Sequence, residues 1–285
     1  MTWIQSMQKA IEYMECRITE EITMEEIAAS AYMSPYQFQR MFRLLTDISA
    51  AEYLRRRRLT LAAQELKISD QKIIDLGFKY GYETPESFSK AFRKHHGCSP
   101  RQIRFDEGKI TAYNRMMIQV SLKGAEPMHY QIIEKEAFQM VGVKGSFAYE
   151  NEENLNGIPN MWERLNAKGT TEELLRKNNG KIKGVLGVCV DRSKQEGRTM
   201  DYWIGVDHQG LVDDMEVLRI PASKWAVFEV SGAMPVAVQN VWKQIYTEWF
   251  PSSGYKSTGG PELEVYAGGD PYSEDYKSTI WVPVQ

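Results

Sequence analysis

The sequence predicts a multidomain chain: an all-α module of two helix-turn-helix units over residues 1–104, a linker over 105–127, and an α+β domain over 128–285. Three observations carry this. A helix-turn-helix pattern occurs twice in the first 104 residues. After Met128 the apolar residues change from helical spacing to the alternation of strands. The charge also changes sign: residues 1–104 hold 16 Lys and Arg against 13 Asp and Glu, a balance of +3, and residues 105–285 hold 19 against 25, a balance of −6.

In chain order, Trp3, Ile4, Met7, Ile11 and Met14 predict a first helix over Trp3 to Ile18. Thr23 with Glu26 reads as a capping box opening a short second helix. The first reading helix is expected over 34–46 and the second over 85–97. Pro35 and Pro85, Phe38 and Phe88, Phe42 and Phe92, and Arg43 and Arg93 match at an offset of fifty, after one extra residue in the second turn. In each copy Pro follows a capping Ser or Thr, and two Phe four apart make a buried stripe behind a polar face. A helix of that kind can lie in the major groove of DNA. Ser49 to Leu66 is the expected connecting helix, and Asp70 the expected opening of the second unit.

Beyond Arg104 the polar run Phe105 to Lys109 reads as an exit, and Asn114 to Lys123 as extended chain. Strands are expected at 130–133, 140–147, 184–190, 201–207, 217–220, 226–230, 263–266 and 278–282, with helices at 158–166 and 236–250. Val238, Val241, Trp242, Ile245 and Trp249 form an apolar stripe that covers one face of a sheet, so Trp242 and Trp249 read as core.

Cys16, Cys98 and Cys189 and the four His form no metal-ligand pattern, and no cofactor is expected. No long apolar run suggests a membrane span, and Met-Thr-Trp-Ile-Gln-Ser lacks the order of a signal peptide, so a cytoplasmic protein without a membrane partner is expected.

Phe92-Arg93-Lys94-His95-His96-Gly97-Cys98-Ser99-Pro100-Arg101-Gln102-Ile103-Arg104 resembles the closing signature of AraC/XylS-type transcription regulators. Tyr53-Leu54-Arg55-Arg56-Arg57-Arg58-Leu59-Thr60-Leu61-Ala62-Ala63 resembles that family's connecting helix. The resemblance covers about the first third of the chain and implies sequence-specific binding of double-stranded DNA; a further reading, compatible with that one, is a protein-binding module that recruits RNA polymerase through the DNA-binding unit. Tyr32 and Asp47 stand where that family usually has Gly, and Gly77 where it usually has Ala. A Tyr held at positive φ is strained, so the first turn is expected to differ locally. Base-edge candidates are Tyr36, Gln37, Gln39 and Arg40 in the first copy and Glu86, Ser87 and Lys90 in the second, each also readable as a solvated helix face. Arg57, from the run Arg55 to Arg58, is the phosphate candidate, with pairing to an acid as its alternative.

Ile220 to Glu229, Trp242, Trp249 to Tyr255, Pro261 to Tyr266 and Tyr276 to Pro283 together resemble a GyrI-like effector-binding domain, found in Rob-like regulators with the same domain order. The resemblance implies two β-α-β-β units about a pseudo-twofold axis, with a cleft between them that senses a small molecule. Glu264 falls on that family's central ligand carboxylate. Strand alternation puts Glu262, Glu264 and Tyr266 on one face; if Leu263 and Val265 lie under the helices, Glu264 looks into the cleft. Tyr266, Trp203, Trp225 and Phe147 are candidate walls, each equally readable as core. Such a carboxylate suits a cationic or hydrogen-bond-donating aromatic effector. The alternative is hydrolysis, with Glu264 activating water beside an aromatic partner; fusion to a DNA reader favours sensing over an enzyme.

Overall fold

A computed structural model describes residues 3–118, 127–149, 153–192, 199–210, 212 and 215–285. It divides into two compact units, one of Met1–Tyr32 with Phe38–Ser121 and the other of Met33–Gln37 with Leu122–Gln285. The linker expected over 105–127 lies partly outside the described residues.

The helical unit contains α1 (Trp3–Cys16), α2 (Met24–Ser30), α3 (Pro35–Thr46), α4 (Ala50–Ile68), α5 (Ile73–Lys79), α6 (Pro85–His96) and α7 (Pro100–Arg104). The helix starts follow local chemistry. Thr23 and Glu26 form the expected capping box, Ser49 caps α4, Thr84 caps α6 ahead of Pro85, and Ser99 with Gln102 boxes α7. Asp70 does not open the second unit; α5 begins at Ile73, and its cap position, Lys72, supplies no side-chain bond. Phe88, Phe92, Leu76 and Ile103 pack with Leu59, Ala63 and Leu66 of α4 into one core.

The turns keep the same backbone in both copies. Gly81 (φ 81°) and Gly97 (φ 74°) are left-handed, and so are their counterparts Tyr32 (φ 58°) and Asp47 (φ 59°). The first turn therefore holds the strained conformation rather than departing from it.

After α7 the chain returns across α4 and α6 as a strap. Thr111 N–H donates to His96 Nδ1 at 3.2 Å, Tyr113 N–H to Thr60 Oγ1 at 3.0 Å, and Met116 N–H to the Tyr53 hydroxyl at 3.2 Å. The segment expected to begin the linker is thus tied to the helical unit as far as Met116.

The second unit contains β1 (Tyr130–Lys135), β2 (Phe138–Ala148), α8 (Glu153–Ala167), α9 (Thr170–Lys177), β3 (Val185–Asp191), β4 (Thr199–Asp207), β5 (Glu216–Ile220) and β6 (Ser223–Ser231). It continues with α10 (Val236–Gln244), a π-helical segment (Ile245–Trp249), α11 (Phe250–Ser253), β7 (Glu262–Tyr266) and β8 (Lys277–Val284). All eight expected strands are present; α9 was not anticipated. They form one antiparallel sheet in the order β1-β6-β8-β7-β3-β4-β2-β5. The two β-α-β-β units are β2-α8-β3-β4 and β6-α10-β7-β8, meeting where β7 pairs with β3.

Two connections fix the curvature. Only Glu136 and Ala137 join β1, first in the sheet, to β2, seventh; only Pro221 and Ala222 join β5, eighth, to β6, second. Two linking residues bridge only about 10 Å, so the sheet must curl into a half-barrel. Its inner face buries Trp225, Val227, Leu263, Val188, Trp203 and Met140 together.

Candidate nucleic-acid interface and effector cleft

On α6, Phe88 and Phe92 are fully buried, with ring centroids 5.5 Å apart. Helical periodicity puts Glu86 and Lys90 on the opposite side, and both are exposed, as is Ser87. Ser87 Oγ donates to the Thr84 carbonyl at 2.8 Å, so its proton is held by the helix start and its lone pairs remain for a donor.

On α3, Phe38 and Phe42 occupy the equivalent buried stripe, and Tyr36 and Arg40 lie opposite them. Gln37 turns its side-chain oxygen back toward Ser34 N–H at 3.5 Å, while Ser34 Oγ accepts from Gln37 N–H at 3.3 Å. Gln39 is only 4% exposed, on the flank of the stripe one residue after Phe38, and leaves the reading set. Arg43 and Arg93, missed in the candidate set, are exposed three residues beyond Arg40 and Lys90; the Phe offset already placed them on the polar face.

Arg57 is a second correction. Its guanidinium makes a two-point ion pair with Glu15 and donates to the Tyr113 carbonyl at 2.7 Å, with both partners' side chains 10% exposed. Burial pushes the Glu15 carboxyl up, but the bonds from Arg57 and Tyr53 outweigh it and hold the group below the usual range. A phosphate could reach Arg57 only by leaving Glu15 buried without its cation, so this residue is structural. The rest of the run is engaged too: Arg55 and Arg56 bond Glu52, and Arg58 donates to the Ile18 and Glu20 carbonyls at 2.7 Å.

In the second unit, the helices cover the face that carries Glu264. Glu264 pairs with Gly187 across the β7–β3 seam. Trp242 of α10 donates through Nε1 to Glu264 Oε1 at 2.8 Å, and the Tyr266 hydroxyl donates to Oε2 at 2.8 Å. From α8, Trp162 meets Tyr266 edge-on with centroids 5.1 Å apart and donates to the Tyr202 hydroxyl at 3.1 Å. A Cβ on Gly187 would lie 2.4 Å from that hydroxyl and 3.2 Å from the Trp162 ring, so glycine lets the aromatics descend onto the seam. Glu262, two residues along the same face, accepts from the Tyr246 hydroxyl at 3.2 Å. Trp242 and Tyr246 stack at 5.8 Å. Four residues of α-helix rise about 6 Å and two residues of strand about 6.6 Å. One helix can therefore place successive aromatic donors over successive carboxylates.

This arrangement revises several expectations. Leu263 and Val265 do not lie under the helices; they point into the half-barrel. Trp203 and Trp225 belong to that inner face, buried with Val188 and Leu263, on the opposite side of the sheet from Glu264. Phe147 shares the helix-covered face but sits on β2, three strands or about 14 Å from β7, where it packs against Gly157 of α8. Tyr266 is at the site as expected. Trp242, read as core, is a direct partner of Glu264, and Trp162, Tyr202 and Tyr246 were not singled out.

A paired helix-turn-helix unit joined to a sheet domain whose helix-covered face carries a carboxylate among aromatic rings defines a DNA-binding regulator with an effector-binding domain. A family model described as integron-associated effector binding protein matches residues 131–284, and a helix-turn-helix domain model matches residues 27–105. The chain belongs to the integron-associated effector binding protein family and carries an AraC-type DNA-binding domain.

Among relatives, the transcriptional activator AarP of Providencia stuartii is 31% identical over 106 residues, 37% of this chain and 76% of that one. The regulatory protein SoxS of Salmonella typhimurium is 34% identical over 104 residues, 36% of this chain and 97% of its own length. The structure of SAV2435 bound to tetraphenylphosphonium is 29% identical, covers 55% of this chain and 94% of that one, and has a TM-score of 0.50. Among the described residues no helix is long and apolar enough to cross a membrane, and no group of His, Cys, Asp and Glu could hold a metal.

Proposed function

We propose that this chain is a cytoplasmic transcription regulator that reads double-stranded DNA with α3 and α6 and senses an aromatic or lipophilic cation at Glu264. The observation that carries the sensor reading is the Glu264 carboxylate, held by two neutral donors, Trp242 and Tyr266, at the β7–β3 seam. A carboxylate among indole and phenol rings offers an entering cation both charge and ring faces. The tetraphenylphosphonium bound by SAV2435 supports the same ligand class. The regulator names of the relatives support sensing over hydrolysis, and recruitment of RNA polymerase through the DNA-binding unit is compatible with that reading.

The test is titration of the full chain with tetraphenylphosphonium, followed by tryptophan fluorescence and calorimetry. Wild type is expected to bind, and Glu264→Gln, which keeps the shape and removes the charge, to lose most of the affinity while its fold is unchanged. Equal binding by both proteins would remove Glu264 from the site.

A further inference from the structure

The half-barrel has an open mouth on the side of the sheet away from Glu264. There the ends of β1 and β4, the start of β2 and the loop before β3 enclose a cavity of about 740 Å³. Its floor is apolar, made by Val265 of β7 and Trp281 of β8, and Ile133 and Phe138 form its walls. Volumes of this size, at the mouth of a curled sheet, suit a small molecule.

The rim has a charge pattern that the chain itself imposes. Ile182 is pinned on both sides: its N–H donates to Asp207 Oδ2 at 2.9 Å and its carbonyl accepts from Asn178 Nδ2 at 2.9 Å. With Ile182 buried, Lys181 and Lys183 are turned outward beside the opening, both exposed. From the facing connection Lys135 holds its ammonium 4.8 Å from the Phe138 ring centre. None of these three lysines is in an ion pair among the described residues. Of the acids there, Glu134 lies 3.9 Å from Lys224 with its side chain exposed, Asp207 accepts from the Ile182 amide, and Glu136 stands on the exposed connection. Beneath the mouth, Trp225 packs edge-on against Trp281 with centroids 6.0 Å apart, and its buried indole N–H has no acceptor among the described residues.

We infer that the mouth of the half-barrel is a second ligand site, separate from the Glu264 cleft, that takes an amphipathic anion: an apolar chain or ring on the Val265–Trp281 floor and a carboxylate between Lys135, Lys181 and Lys183. The two sites lie on opposite faces of β7 and select opposite charge. Strand alternation alone separates them, since Glu264 and Val265 are consecutive.

The experiment uses the full chain and decanoate below its micellar concentration, with decylammonium as the probe of equal length and opposite charge, read by calorimetry and tryptophan fluorescence. Wild type is expected to bind decanoate, and the Lys181→Gln/Lys183→Gln double variant to bind it on the order of tenfold more weakly. Ala137→Trp, which adds bulk on the exposed connection at the mouth, should also weaken it, whereas Glu264→Gln should leave it unchanged. Circular dichroism keeps a folding loss distinguishable from a binding loss. No decanoate binding to wild type, unchanged binding by the folded double variant, or decylammonium binding as tight as decanoate would each overturn the site.

Discussion

Arg57 and Glu15 face each other across the helical unit through two parallel bonds, Nε to Oε1 and Nη2 to Oε2, both 2.8 Å long. This fork geometry fixes α4 against α1 and converts what reads in the sequence as a phosphate-facing arginine into an internal strut. Arg57→Ala should destabilise the helical unit by about 3 kcal/mol, because a buried carboxylate loses its cation. Chemical denaturation measures this; a fully stable variant with uniformly weaker DNA binding would restore the phosphate role.

Tyr32 holds φ at 58° where the second copy has Gly81. Its ring is 73% exposed, and the contact it makes is with Lys9, whose ammonium lies 5.1 Å from the ring centre. Relief of the left-handed strain exceeds the loss of an exposed cation–π contact and the added freedom of the unfolded chain, so Tyr32→Gly should gain roughly 0.5 kcal/mol. A thermal melt of Tyr32→Gly beside Tyr32→Ala, which keeps the strain and loses the ring, separates the two effects.

His96 is neutral by construction, its Nδ1 accepting from Thr111 N–H while Nε2 lies 3.1 Å from the Leu59 carbonyl oxygen. Burial lowers its pKa, and burial together with the neighbouring His96 lowers that of His95 to about 4. The unfolded chain binds these protons near the ordinary value of about 6.5, so the unfolded state holds more protons below about 6.5, down to about 4 for His95. Stability from these groups is complete above that window and is lost as pH falls through it. The melting temperature of the helical unit should fall on acidification from pH 7 to pH 5, and less so in His95→Asn; an identical slope in the variant would reject the assignment.

Arg40 lies opposite the Phe38–Phe42 stripe. Arg40→Ala should weaken binding to a cognate operator by roughly 1–3 kcal/mol and relax preference at one base pair. Gel-shift titrations on matched and scrambled sites check this. Equal losses on both DNAs would move Arg40 to the backbone-contacting set.

Much of the fold is written in local pattern. The paired Pro and Phe positions placed both reading helices, and period-two alternation located every strand. Alternation also put Glu262, Glu264 and Tyr266 on one side. It states which residues share a face and is silent on which face the helices cover. That is why the sequence reading groups Trp203 and Trp225 with Glu264 and places Trp242 in the core. Arg57 was misread for a related reason: its partner Glu15 is 42 residues away and has no local signature. The short helix Thr170–Lys177 is nearly all polar, and only Leu174 is fully buried, too little periodicity to announce it.

Because β7 is shared by the helix-covered face and the barrel interior, its odd and even residues meet different packing demands. Changes at 262, 264 and 266 alter the hydrogen-bonded, helix-covered face, and changes at 263 and 265 reshape the barrel interior. A one-residue insertion upstream of Glu262 would exchange the two sets, presenting leucine and valine to the aromatic seam and carboxylates to the apolar floor. Point substitutions in this strand can therefore alter one face and spare the other, while length changes in it should be eliminated.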